Sequence, residues 1–322
     1  VEARAALNPE YFQMDWHNDR MPWRLLRYPI FWLQFVWRYV LSFQRFDVLH
    51  VHFFYPTIWL ALLYKALRHR RVKIIVTCHG SDIYLYKPES ALYKYAAMKV
   101  QHFIFTSEKL QQKFFEKPAS AEVLPAGIHP VFAQTQHKDR SEKPIDILYV
   151  GSLDLNKGMD RLLALLPVLK DKKVVIAGAG PWLDKLHSAA RQYPNVLVVG
   201  PKDSVALQQL YSQARCLISL SRHEAFGLVM AEAMSCYTPV IATNTDGAAE
   251  QLKPELNGML VSQHGDEEQV VNRLAQAITQ FFNQTSEQYQ QMQLAGRASA
   301  EQYLLGQVVA QLQILYQQVC DE

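Results

Sequence analysis

Glycine is scarce and unevenly placed: there are 13 in 322 residues, and none before Gly80. No glycine turn can be placed in the first quarter of the chain. Cysteine is scarcer still. Cys78, Cys216, Cys236 and Cys320 stand far apart without metal-ligand spacing. That argues against a disulfide framework and a zinc site and fits a reducing compartment. No stretch of 18 or more apolar residues is free of charge, so no transmembrane helix is expected, and no signal-peptide pattern opens the chain. No Asp-x-Asp pair is present to hold a divalent ion. The chain opens at Val1 rather than Met, and the expectation is that it starts inside a domain.

What is present suits two globular domains: 49% of residues are hydrophobic and 20% charged. The net charge of +3 hides an asymmetry. Residues 1–130 hold 17 Lys+Arg against 10 Asp+Glu, a balance of +7, while the remainder holds 16 against 20, a balance of −4. A basic front half suggests an anionic partner for that half.

Short apolar runs alternate with helical stretches. Strands are expected over Phe46–Phe53, Lys73–Cys78, Gln101–Thr106 and Glu122–Leu124, with helices over Pro56–Leu67 and Glu108–Phe115, the latter capped by Ser107. Residues 134–144 (QTQHKDRSEKP) are polar and end in proline, the composition of a linker. A second series follows, with strands over Ile145–Val150, Val174–Ala177, Val196–Val199, Cys216–Leu220, Pro239–Ala242 and Met259–Val261. The last 25 or so residues read as one long helix. Strand then helix, repeated, means parallel sheets with crossover helices. The fold class is therefore α/β, with two Rossmann-like parallel-sheet domains and ligands at the carboxyl ends of strands, in a cleft between them.

The strongest chemical signal is Ser221–Ala233 (SRHEAFGLVMAEA), which follows a strand and is expected to open a helix near Phe226. Glu224 precedes that helix and Glu232 lies within it. Eight residues of helix advance about 12 Å and return to nearly the same face, so two carboxylates would address one elongated ligand. The N–H groups of Phe226, Gly227 and Leu228 between them form a helix N-terminus suited to a diphosphate, with Gly227 allowing close approach. A sugar nucleotide has this layout. On composition alone, a capping Glu224 with a solvated Glu232 is the favoured reading of the pattern.

Glu224 and Glu232, with seven residues between them, match the E-x7-E signature of the retaining GT-B glycosyltransferases of family 4. Val150–Met159 (VGSLDLNKGM), Ile176–Gly180 (IAGAG), Glu232–Thr243 and Asn257–Val261 also resemble this family. So do Asp47–His52, Thr77–Asp82 (TCHGSD) and Leu124–Phe132 in the front half. The resemblance runs from about residue 46 to the end. It implies a GT-B fold: an acceptor-side domain over 1–137, a nucleotide-sugar donor domain over 138–303, and a C-terminal helix, 304–322, packing back on the first. It further implies that Glu224 holds the donor sugar's hydroxyls and Glu232 the ribose, while Lys157 pairs with the diphosphate and Gly151 and Ser152 line its loop. His79 would face the reacting sugar, and Asp82 would orient His79 or bind the sugar. The reaction implied is retaining transfer of a hexose from a UDP- or GDP-sugar to a glycan or lipid-linked hydroxyl, in bacterial envelope polysaccharide or lipopolysaccharide synthesis in the cytoplasm. Lys157 and a helix N-terminus can neutralise a leaving diphosphate, so no metal or other cofactor is expected.

Several positions depart from the family. Ser152 stands where the family has arginine, leaving Arg222 or Lys202 to supply a diphosphate contact. Tyr237 replaces a glycine before Thr-Pro, where a reshaped turn is expected. Ala126 and His129 replace Asn and Asp. The family's opening strand and glycine-rich loop are absent, so the N-terminal domain reads as truncated. These departures keep two rivals: another GT-B enzyme such as a nucleotide-sugar epimerase, and a non-catalytic sugar-nucleotide-binding partner of a membrane glycan complex.

Arg20–Arg45 carries five arginines, three tryptophans and no acid. With Pro22 and Pro29 cutting its first part, it reads from Ile30 as an amphipathic helix. It either docks on an anionic membrane or packs as a crossover helix with snorkelling arginines. Nucleic acid is not an expected partner, since no nucleic-acid-binding fold is evident. His50 and His52 alternate on one strand and share a face.

Overall fold

The computed structural model describes residues 23–42, 45–84 and 90–321. The chain divides into two compact units: residues 1–106, 110–124 and 309–322 form the first, and 107–109 and 125–308 the second.

The N-terminal unit holds a four-stranded parallel sheet in sequence order: β1 Val48–His52, β2 Lys73–Cys78, β3 His102–Phe105 and β4 Ala121–Val123. Ile74, Ile75, Val76 and Cys78 of β2 are fully buried, as a β-branched run covered on both faces requires. A cluster around Phe54, Ile58, Phe103, Phe105 and Phe114 forms the core. The helix expected from Pro56 begins at Ile58, and the one expected over 108–115 is only Glu108–Gln112.

The C-terminal unit holds six parallel strands in the order β10-β9-β8-β5-β6-β7. They are β5 Ile145–Val150, β6 Val174–Ala177, β7 Val196–Val198, β8 Ala214–Ser219, β9 Val240–Thr243 and β10 Gly258–Val261. The chain runs outward through β5, β6 and β7, then returns to place β8 on the other side of β5. The order reverses between β5 and β8, which is where doubly wound sheets open a crevice for ligands.

Three expectations are corrected. Residues 134–144 are no free linker, and the break between units falls at 124/125. The segment packs on the C-terminal unit: Thr135 and Lys143 are buried, and Arg140 donates to the carbonyls of Phe282 and Gln284. Polar composition hid this because the segment's own hydrogen-bonding groups make the contacts. The long C-terminal helix is interrupted. Ser286–Ala300 and Leu305–Asp321 are separate helices, because Tyr303 and Leu305 pair through their backbones with Ile128. Finally, Pro29 does not delay the front helix, which runs over Trp23–Phe35 with Pro29 inside it and continues as a π-helical turn over Val36–Val40.

Candidate active site

Two loops meet where the C-terminal sheet reverses its order. One, residues 151–158, leaves β5; the other, residues 220–227, leaves β8. They are tied by the Arg222 N–H to the Asn156 carbonyl (2.7 Å) and by the Asn156 amide to the His223 carbonyl (3.1 Å). Glycines make this close approach geometrically possible. Gly158 has φ +75, and a Cβ there would lie 2.2 Å from the Leu220 carbonyl oxygen. Gly178, after β6, would place a Cβ 1.9 Å from the Gly151 oxygen. The IAGAG turn is therefore a seat for the 151–153 loop. Tyr149 bonds the Ser152 carbonyl at 2.9 Å, holding Gly151 and Ser152 in place.

Lys157 and Glu224, one from each loop, form an ion pair across the crevice. The Ser221 hydroxyl also reaches Glu224, at 3.4 Å. Both charged side chains are partly buried, 27% and 16% exposed, so a ligand could reach them. The following helix spans Leu228–Ser235, with Gly227 as its N-cap at φ +84 and no side chain capping it. The Met230 N–H bonds the Gly227 carbonyl at 3.0 Å, which leaves the Leu228 and Val229 N–H groups without intrahelical partners. The helix opens two residues later than expected, so Phe226 contributes no helical N–H. The Phe226 side chain is buried against Tyr303.

Glu224 therefore sits in the loop and not on the helix, so helical periodicity does not place it relative to Glu232. The loop's own clamps hold it. Gly247 N–H donates to the Glu224 carbonyl at 2.9 Å, and the Gln251 amide bonds the Phe226 carbonyl. A Cβ at Gly227 would come within 3.0 Å of the Glu224 Cγ, so this glycine also makes room for the carboxylate. Glu232, in the helix, accepts from the Tyr211 hydroxyl at 2.9 Å. Burial raises its pKa, opposed by that hydrogen bond. Tyr211 is wholly buried, and sequence reasoning missed it because it lies on another helix, Ser204–Gln213, 21 residues from Glu232 in the chain.

Arg222 does not replace the missing loop arginine. Its guanidinium is held by Asp160 at 3.0 and 2.7 Å and by Glu267 at 3.0 Å. Arg161, 3% exposed, completes this buttress by forking onto Glu267 at 2.7 and 3.0 Å. Lys202 is exposed. Tyr237 keeps the left-handed conformation a glycine would adopt, φ +55; the turn is strained rather than reshaped.

In the N-terminal unit, His79 follows β2. Asp82 is buried and accepts the backbone N–H groups of Phe54 (2.8 Å), Gly80 (3.0 Å) and His79 (3.1 Å). It fixes the loop and not the His79 imidazole. The ring is instead bonded to His52, Nε2 to Nδ1 at 2.9 Å. Burial lowers the His79 pKa, so the ring is neutral near pH 7.

Residues 132–298 match the family described as glycosyl transferases group 1. The chain belongs to that family. Residues 8–132 match glycosyltransferase family 4. An uncharacterised glycosyltransferase of Methanocaldococcus jannaschii is 27% identical over 253 residues, covering 69% of this chain and 64% of its own length. The chain thus spans under two thirds of that relative. N-acetyl-alpha-D-glucosaminyl L-malate synthase of Bacillus anthracis is 25% identical over 86% of this chain and 76% of its own. Among solved structures, Anabaena HepE in complex with UDP and glucose superposes with a TM-score of 0.67 at 17% identity, over 84% of this chain and 78% of that one. The fold is GT-B.

Proposed function

We propose that the chain is a retaining hexosyltransferase that takes its sugar from a UDP- or GDP-sugar and delivers it to a glycan or lipid-linked hydroxyl in envelope polysaccharide synthesis. The observation that carries this reading is the Lys157–Glu224 pair at the β5/β8 crevice, beside an uncapped helix N-terminus. Each side chain occupies the other until a donor arrives. A diphosphate then takes Lys157 and the first N–H groups of the helix, which frees the Glu224 carboxylate to accept from sugar hydroxyls. Glu232, already oriented by Tyr211, has a second oxygen to offer the ribose. Lys157 and the helix N-terminus carry the charge of the leaving diphosphate, so no divalent ion is required on this reading. Retention follows from the family resemblance, which also gives His79 its role at the reacting sugar. The name of the Anabaena protein's ligands favours uridine.

Membrane docking belongs to the same reading. Leu33, Trp37 and Leu41, four residues apart along one face, are 69, 77 and 64% exposed. The opposite face, with Tyr39 and Val40, packs with Tyr64 and Val72. One face packs on the unit, and the other is an apolar stripe; Arg38, Arg45, Arg70 and Arg71 of the same unit are exposed, a combination that supports interfacial docking. Among the described residues, no helix is long and apolar enough to cross a membrane, so any such contact is interfacial, at the cytoplasmic face.

Calorimetric titration of UDP and GDP in the presence of EDTA tests the donor site. One nucleotide is expected to bind, and Lys157→Ala and Glu232→Ala each to weaken it tenfold or more, about 1.4 kcal/mol. A folded protein that binds neither, with or without magnesium, removes the transferase assignment. Binding that never leads to turnover favours the non-catalytic partner.

A further inference from the structure

We propose that His52 is a positioning residue for His79, fixing its tautomer and ring plane through a hydrogen bond and a stack of imidazoles. The inference rests on the role given to His79 under the proposed function. His50 and His52 project from one face of β1, and parallel pairing sets His52 opposite Thr77 of β2, two residues before His79. The three rings form a column. His50 and His52 stack with centroids 4.6 Å apart, and His52 and His79 with centroids 5.2 Å apart, with interplanar angles of 24° and 22°.

The bottom of the column is anchored. His50 bonds Thr77 through Nε2 at 2.7 Å and Tyr316, on the C-terminal helix, through Nδ1. The top is enclosed by Phe53, whose ring centroid lies 4.7 Å from that of His79. Phe53 has φ +68, a left-handed conformation uncommon for a non-glycine residue.

The hydrogen bond between His52 Nδ1 and His79 Nε2 admits one proton between two neutral rings. Whichever nitrogen carries it, the placement of the proton on one ring dictates its placement on the other. The Asp82 carboxylate, three residues along the chain, is occupied by three backbone N–H groups. Among the described residues, His52 is the side-chain hydrogen-bond partner of the His79 ring. His52 itself is exposed at its edge, so filling a core does not account for a histidine there.

The test uses the whole chain without ligand. Long-range proton–nitrogen spectra of the imidazoles, assigned with His79→Ala, read the tautomer and titration of His79 in wild type, His52→Asn and His52→Gln. Asparagine can place a polar atom where Nδ1 stood; glutamine places it about one bond farther out. We expect wild type and His52→Asn to show one His79 tautomer, titrating below the ordinary value of about 6.5. In His52→Gln both tautomers should appear. Turnover of UDP-glucose by hydrolysis should fall at least tenfold in kcat in His52→Gln at little changed KM, and stay within threefold in His52→Asn. A single, unshifted His79 tautomer in His52→Gln overturns the proposal. Full turnover by His79→Ala would instead remove the role given to His79 while leaving the ring-locking result standing, which separates the two ideas.

Discussion

Lys143 shows how much one residue's surroundings can change its chemistry. It is 1% exposed and its ammonium donates to the Tyr237 carbonyl at 2.7 Å. Burial pushes its pKa down to about 7, with the Lys138 charge adding to the effect and the nearby thiols opposing it. Between about pH 7 and the ordinary lysine value near 10.4, the unfolded chain holds a proton that the folded chain does not. Unfolding then takes up a proton, so this group makes stability rise with pH across that window and fall as pH drops toward 7. The difference in urea-derived stability between wild type and Lys143→Met should therefore depend on pH, by at most about 1.4 kcal/mol per pH unit. A pH-independent difference between pH 7 and 9 would show that Lys143 is charged in the fold. None of this was legible in the sequence, where Lys143 falls in a polar stretch. The place of Glu224, Glu232 and Lys157 after strands was legible, because strand and loop follow from local pattern. Tyr211, Gly247 and Gln251 were not, since each acts on a partner distant in sequence; for His52 the strand face was legible and its partner was not.

At the scale of elements, the β5/β8 crevice depends on two loops approaching more closely than side chains allow. Gly158 caps the helix Met159–Leu165 in a left-handed conformation and lies against the end of β8. Gly200 has a similar φ, +70, but nothing within 4 Å of where its Cβ would be. Alanine at Gly200 should cost only the backbone term, about 1–2 kcal/mol. Alanine at Gly158 adds a clash with the Leu220 backbone, which cannot swing aside as a side chain tip can. We expect Gly158→Ala to lower the urea midpoint more than Gly200→Ala and to weaken nucleotide binding at least tenfold, whereas Gly200→Ala leaves binding unchanged. Equal effects would mean that the loop contact is slack. The strands themselves were read from sequence to within about two residues, because buried parallel strands are continuous apolar runs. Helix starts and the break at Leu304 were misplaced, because a left-handed N-cap at Gly227 and a backbone bridge to Ile128 set them, and neither leaves a periodic pattern.

At the scale of the whole molecule, the uneven charge becomes a matter of where the protein resides. A front half with a balance of +7 and an exposed Leu33–Trp37–Leu41 stripe should bind anionic vesicles and release them as salt rises. Co-sedimentation with vesicles containing phosphatidylglycerol should exceed that with phosphatidylcholine alone. Trp37→Ser combined with Leu41→Ser should weaken it tenfold or more, about 1.4 kcal/mol. Equal binding to both vesicle types, or an unaffected double variant, would remove the membrane role.

The sequence by itself determined the parallel α/β units, the family and the position of Lys157 after β5 and of Glu224 after β8, because each is written in short-range pattern and spacing. Only the tertiary structure decided that the polar stretch at 134–144 belongs to the C-terminal unit, that Arg222 is committed to Asp160 and Glu267, that Asp82 serves the backbone, and that His52 is the partner of the His79 ring. Those outcomes depend on which groups meet across the fold and satisfy one another's hydrogen bonds and charges, and spacing along the chain carries no record of such meetings.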